Sequence, residues 1–411
     1  MTVSNIIQFF KTEFKGDKIV WRILFFLSVI SLVAVYGSIS LIAIKGGENY
    51  TTSFLIKQAL ILIVGIAIAY FVHKINYVFI YKITNLLLLV SIVFMALTFS
   101  SAFGVDTNNA VRWIQLPGIG IRFQPSEFAK LALIIYVVKT LSVHQQNLHD
   151  PKKALYPILG VTAIISGMVL VSNFSTAVLI IITVFVLLIL GRVPIVQLLK
   201  LMGIGVGVLL VMGVIIIKSP HVFKRGLTWQ NRLVSFVPAL TPYTSGYDAS
   251  KDLISKVDNH QVNQAKIAIA EGGILGKGSG NSNQKYRLSQ AYCDFIYAII
   301  IEDYGLIGGV AIILLYLVLL FRAGVIVRKC DYTFPALLVI GLTFSLVFQA
   351  FVHMGVAVNL LPATGQPMPI VSHGASSLLT TSISFGIILG VSRKIDEDSK
   401  QKNKQENESD N

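Results

Sequence analysis

Asp294 stands where a long polar segment gives way to an apolar run, LSQAYCDFIYAIIIEDYGLIGG. A carboxylate at the edge of a membrane is partly desolvated, which raises its pKa and makes it a better base. The alternative is an acid that only favours a helix N-terminus through the macrodipole. Glu302 lies eight residues on, which would set it about 12 Å deeper along a straight helix. Glu302 and Asp303 fall within apolar sequence, where ionisable groups need partners.

A second cluster opens the fourth apolar run, VRWIQLPGIGIRFQPSEFAKLAL. Pro125 suits the first turn of a helix. Glu127 and Lys130 are three apart and share a face, so they can pair. That pair could simply order the helix. It could also join Arg112 and Gln124 in the polar wall of a substrate cavity, where a guanidinium fork suits phosphate.

A third segment, residues 357–374 (AVNLLPATGQPMPIVSHG), holds three prolines and two glycines. No regular helix survives that composition. Non-helical backbone at membrane depth must be buried in protein or line a cavity, so the stretch is a re-entrant or cavity-lining loop, or else an extended outer turn. His353 and His373 flank it and are expected to be hydrogen-bonded core residues, not metal ligands. The stretch AIAEGGILGKGSGNS is Gly-rich around Lys277 but lacks Walker spacing. Its glycines would allow close backbone approach and an anion-binding nest.

The elements that must position these residues are membrane spans. The chain has 411 residues, of which 54% are hydrophobic and 13% charged, against about 25% charged in soluble domains. Runs of roughly 20 apolar residues recur. They predict an all-α polytopic membrane protein of about ten transmembrane helices, at 22–44, 54–72, 78–99, 127–143, 154–171, 174–190, 194–217, 293–321, 334–356 and 375–391. The fifth and sixth are expected to form a tight hairpin at Ser172–Ser175.

Lys11, Lys15 and Lys18 and the basic residues of alternate loops put both termini in the cytoplasm. The polar segment 1–20 has no signal-peptide cleavage pattern. Two outer segments are long: 101–126 within the block 21–217, and 218–292 between spans seven and eight. The second is basic, which suits an anionic ligand at the outer leaflet or plain solubility. Spans eight to ten occupy 293–392, and the tail 393–411 reads as disordered. Cys293 and Cys330 fall on opposite faces and cannot pair within the chain. The net charge of +14 is explained by cytoplasmic loops, and no nucleic-acid partner is expected.

Four motifs in register resemble those of the SEDS family (FtsW/RodA/SpoVE) over about residues 15–395. They are Arg112-Trp113-Ile114 with Gln124 through Lys130; Gly272 through Gly278; Asp294 through Gly308; and Leu360 through Leu378. Departures occur at Ser289 through Cys293, at Ser172 through Thr176, and at His353, His373 and Ala375. The resemblance leans toward an FtsW-like division protein. It implies an inverting peptidoglycan glycosyltransferase that polymerises lipid II at the outer face of the bacterial cytoplasmic membrane, in cell division or elongation. It implies Asp294 as general base for the acceptor hydroxyl. It implies substrate contacts from Arg112, Gln124, Glu127, Lys130, Arg232, Gln264, Lys277, Gln290 and Ser376, with Arg112, Lys130, Arg232 and Lys277 as candidates to hold pyrophosphate. A divalent cation (Mg2+ or Mn2+) could assist the leaving group, although no metal cage is visible. A class B penicillin-binding transpeptidase and other divisome or elongasome membrane proteins are the implied partners. Two other readings compete: a lipid II flippase lined by Glu127, Lys130, Glu302 and Asp303, and a non-catalytic scaffold that activates a transpeptidase.

Overall fold

The computed structural model describes residues 13–39, 48–100, 103–106, 111–115, 122–219, 226, 229–230, 249–288 and 291–409. Spanning helices occupy Lys18–Ser38 (α1), Glu48–His73 (α2), Tyr77–Thr98 (α3), Pro125–Val143 (α4), Leu155–Ser172 (α5), Phe174–Leu190 (α6) and Ile195–Lys218 (α7). An outer-segment helix, Ala249–Gly272 (α8), precedes Ile296–Arg328 (α9), Thr333–Ala357 (α10) and Ala375–Ser409 (α11). Eight of these are long and apolar enough to cross a membrane. α6 is apolar but has 17 residues, and α4 carries Glu127, Lys130 and Lys139 in its 19. α4 tolerates them because it is the packed centre of the bundle, touching α3, α5, α6, α10 and α11.

Local sequence sets the boundaries. The Asp17 carboxylate accepts from the Ile19 and Val20 amides at 2.8 and 3.1 Å and starts α1. Asn76 caps α3 in the same way, accepting from Val78 N at 3.0 Å. Asn173, extended at φ −154°, ψ 97°, separates α5 from α6, and the two helices pack on each other as the expected hairpin. The outer segment 101–126 contributes a small antiparallel sheet in the order β1 (Gly104–Asp106), β2 (Val111–Gln115), β3 (Arg122–Phe123). Ile114 pairs with Phe123 in that sheet, and β3 leads directly into α4.

Two expectations are corrected here. The tail beyond Arg393 is not disordered, because α11 continues to Ser409. Its i,i+4 pairs Arg393–Glu397 (4.0 Å) and Lys394–Asp398 (2.8 Å), with Lys15–Glu397 from the other terminus, suit a helix despite the polar composition.

The eighth span is also not one straight rod. Gly305 sits inside α9 at φ 69°, ψ −172°, a region open to glycine alone. α1 and α9 run side by side. Arg322 pairs with Asp17 at the inner end, and the Asp303 carboxylate lies against Gly37 at the outer end. The membrane crossing of α9 therefore starts at Gly305. The preceding half, Ile296–Tyr304, folds back so that Tyr297 and Ile301 rest on Gly309. The depths of the two acids are reversed relative to expectation: Glu302 is at the outer rim, and Asp294 lies below it at the foot of the returning half-helix.

The GGxxGKG stretch closes this break. The carbonyls of Gly273 and Ile274 accept from the Leu306 and Ile307 amides at 2.9 and 3.4 Å. The Lys277 and Gly278 amides donate to the Glu302 and Asp303 carbonyls, both at 2.9 Å. One loop thus satisfies the ends of both half-helices. A Cβ at Gly276, where φ is +80°, would strike the Asp303 carbonyl. Gly305→Ala is expected to cost about 3 kcal/mol or more, since it adds left-handed strain to a clash with the Ile274 carbonyl. Thermal unfolding in detergent micelles checks it, and an unchanged midpoint would rule the break out.

Candidate functional site

The centre of the site is the 357–374 segment, whose later part, 366–372, is buried in protein, while Val358, Leu360 and Leu361 are exposed. Gln366, Met368, Ile370, Val371 and Ser372 are each under 4% exposed. Its carbonyls cannot pair within a helix, so side chains from several spans take them. His353 Nδ1 bonds the Gln366 carbonyl at 2.8 Å, and Gln349 Nε2 donates to Pro367 O at 2.8 Å. Tyr316 donates to Pro369 O at 2.5 Å and Ser31 to Val371 O at 2.9 Å. Gln366 reaches back to Thr176 at 2.6 Å, and His373 Nδ1 to Gln58 at 2.5 Å. α1, α2, α6, α9 and α10 all hold the loop. Ser31 lies seven residues inside Ser38, so the loop dips about 10 Å below the outer end of α1.

Asp294 is joined to this loop. The Ser372 hydroxyl donates to Cys293 O at 2.8 Å, and the His373 amide to Tyr292 O at 3.0 Å. Gly365, at φ 62°, turns its backbone toward the Asp294 carboxylate, and a Cβ built there would sit 4.0 Å from Oδ2. The Cys293 thiol hydrogen-bonds to the same carboxylate. Asp294 is half-buried.

Four other expected residues meet the loop through short chains of contacts. Lys130 Nζ donates to Glu127 at 3.0 Å and to Gln349 at 2.6 Å, and Gln349 carries the link to Pro367. Gln124 N donates to the Ser376 hydroxyl at 3.1 Å, which ties the start of α4 to the start of α11. Arg112 is half-buried on β2, beside the ends of α3 and α4.

Two expected residues, Arg232 and Gln290, lie outside the described residues, and two others, Lys277 and Gln264, do not join this cluster. Lys277 pairs with Glu271 and, at 3.1 Å, with Glu302. Glu302 is fully buried and also accepts from Ser282, from Asn283 N at 2.8 Å and from Gln284 N at 3.4 Å. The hydrogen bond from Lys277 depresses the Glu271 pKa, and Glu271 in turn raises that of Lys277. The Gly-rich stretch is therefore a cap on a broken helix and not an anion nest, because the Lys277 and Gly278 amides are already spent. Gln264 is buried on α8, which packs on α9, and its Oε1 has no partner among the described residues.

Gln58, Gln349 and Gln366 escaped sequence reasoning. The signal existed, since a lone amide in an apolar span must find a partner. Among the described residues no three His, Cys, Asp or Glu side chains are placed to hold a metal. Asp294 would offer a cation one carboxylate, and the substrate's diphosphate oxygens would have to supply most of its other ligands.

Residues 17–397 match the model of the FtsW/RodA/SpoVE family, described as cell cycle proteins. A probable peptidoglycan glycosyltransferase FtsW of Nitrosococcus halophilus is 32% identical, covering 86% of this chain and 87% of its own. Stage V sporulation protein E of Bacillus subtilis is 28% identical, over 89% and 94%. Two solved structures share the fold. One comes from work on coordination of polymerisation and crosslinking by a peptidoglycan synthase complex (TM-score 0.67, 23% identity, 92% and 98% covered). The other is the rod shape determining protein RodA of Thermus thermophilus (TM-score 0.62, 20% identity, 92% and 97% covered). With the family model covering nearly the whole chain and the fold shared, this multi-pass membrane protein belongs to the FtsW/RodA/SpoVE family.

Proposed function

We infer that this chain is a peptidoglycan glycosyltransferase that polymerises lipid II at the outer face of the bacterial cytoplasmic membrane. One observation carries the reading: the Asp294 carboxylate stands against a rigidly held, protein-buried loop that no simple span would need. Asp294 is the general base. It takes the proton from the acceptor sugar hydroxyl as that oxygen attacks the donor's anomeric carbon, and the polyprenyl diphosphate leaves in a single inverting displacement. A base so used must be held at hydrogen-bond reach, and the fixed Cys293–Ser372 and Tyr292–His373 bonds serve that end. Arg112 and Lys130 are the cations proposed to neutralise diphosphate. A class B penicillin-binding transpeptidase is the proposed partner, in keeping with the synthase complex named for the solved relative.

The flippase reading loses support from the ion pairs. Glu302 and Asp303 belong to the outer cap, and Glu127 is spent on Lys130, so these four do not line a common path. The test is reconstitution in vesicles with lipid II on either leaflet. Polymer from outward-facing substrate is expected. Headgroup translocation without polymer, lost on Glu302→Gln, would contradict the enzyme.

A further inference from the structure

A cavity of about 260 Å³ opens at the inner end of the bundle, where the start of α1, the end of α9 and residues 392–396 of α11 meet. It lies across the membrane from Asp294 and shares no residue with the candidate site. Gly16, at φ 88°, lets the chain pass against the Leu389 carbonyl of α11 and brings Lys18 to the mouth. Arg322 lines the cavity but is spent on Asp17, whose carboxylate also caps α1. The cations the cavity offers are therefore Lys18 and Lys329, one from α1 and one from the end of α9, both exposed. Asp396 is the one acid left to oppose them among the described lining residues. Arg22, one turn from Lys18, and Arg328, next to Lys329, are exposed as well and add to the same sign. The rest of the wall, with Ile19 and Val325, is apolar. It leads toward lipid: Phe25 shares a helix face with Lys18 at i+7, Phe321 shares one with Val325 at i−4, and both rings are exposed.

We propose that this cavity binds the headgroup phosphate of an anionic phospholipid of the inner leaflet, with its acyl chains laid along Phe25 and Phe321. Two ammonium groups from different helices flank one recess at headgroup depth, which suits a single phosphodiester. Basic recesses between spans on the cytoplasmic side are where such headgroups bind. A soluble phosphate could use the same two cations, but it would leave the apolar stripe unused. The bound lipid would tie together the inner ends of α1 and α9, the two helices that reach the 357–374 loop through Ser31 and Tyr316.

The test is photolabelling of the full chain in phosphatidylcholine nanodiscs, with phosphatidylglycerol that carries a diazirine at the start of one acyl chain. Label is expected on peptides from the inner ends of α1 and α9. Unlabelled phosphatidylglycerol should displace it, and added phosphatidylcholine should not. The double variant Lys18→Gln with Lys329→Gln, checked for folding by size exclusion, should weaken binding about thirtyfold, since each cation near the surface is worth about fivefold. Asp396→Asn should tighten binding about fivefold, a gain that misfolding cannot produce. Lys200→Gln removes an exposed inner cation of α7 and should leave binding within about twofold. Label confined to other helices, equal displacement by phosphatidylcholine, an equal loss on Lys200→Gln, or no gain on Asp396→Asn would overturn the proposal. Displacement by glycerophosphoglycerol, the headgroup without chains, as strong as by the whole lipid would make this a soluble-phosphate site and overturn the lipid assignment.

Discussion

Glu127→Ala is expected to destabilise the folded chain by about 3–5 kcal/mol, the cost of stranding a buried charge. Glu127 and Lys130 are 2% and 12% exposed at their side chains, so water cannot replace the lost carboxylate. Lys130 would keep only Gln349. The double variant Glu127→Leu with Lys130→Met removes both charges and should recover most of the loss, since a well-packed apolar pair is often neutral against a buried ion pair. Thermal unfolding of the parent, Glu127→Leu, Lys130→Met and the double variant gives the coupling directly. A value of about 2 kcal/mol or more is expected, and one under about 0.5 kcal/mol would mean the two side chains act independently. The single variant should also lose activity at temperatures where it is still folded. Lys130 holds Gln349 and Gln349 holds Pro367, so the loop facing Asp294 slackens when that chain is cut.

Asp294→Asn and Asp294→Ala should each reduce the polymerisation rate about 10²–10⁴-fold, the usual worth of a positioned general base. The asparagine keeps the shape and one acceptor oxygen but cannot take a proton. It should therefore be as poor as alanine. Asp294→Glu keeps the charge and moves it by one methylene; a loss between the parent and the asparagine is expected. Neither the asparagine nor the alanine variant should unfold the protein. Asp294 is half-buried, and Ser372 and His373 of the loop beside it are tied to the Cys293 and Tyr292 carbonyls, which both variants keep.

The spans were legible because lipid demands unbroken apolar runs, and the start of α4 because Pro125 suits a first helical turn; the caps at Asp17, Asn76 and Asn173 emerged from the structure. The hairpin at Asn173 and the non-helical character of 357–374 followed from length and proline content. The fold-back at Gly305 did not. A single glycine in an apolar run is ordinary in a span, and nothing local says that residues 272–278 will cap it. That one hidden break inverted the depths of Asp294 and Glu302 and set Lys277 against Glu271 and Glu302. The helical tail past Arg393 was hidden for another reason. Its composition is that of a solvated chain, and its order comes from spacing of opposite charges.

The most direct measurement is the initial rate of lipid II polymerisation by the parent and by Asp294→Asn across substrate concentrations. A base that acts only on the reacting hydroxyl predicts a collapse in kcat with KM held within about twofold. A raised KM with kcat preserved would make Asp294 a substrate anchor and leave the chemistry to another group.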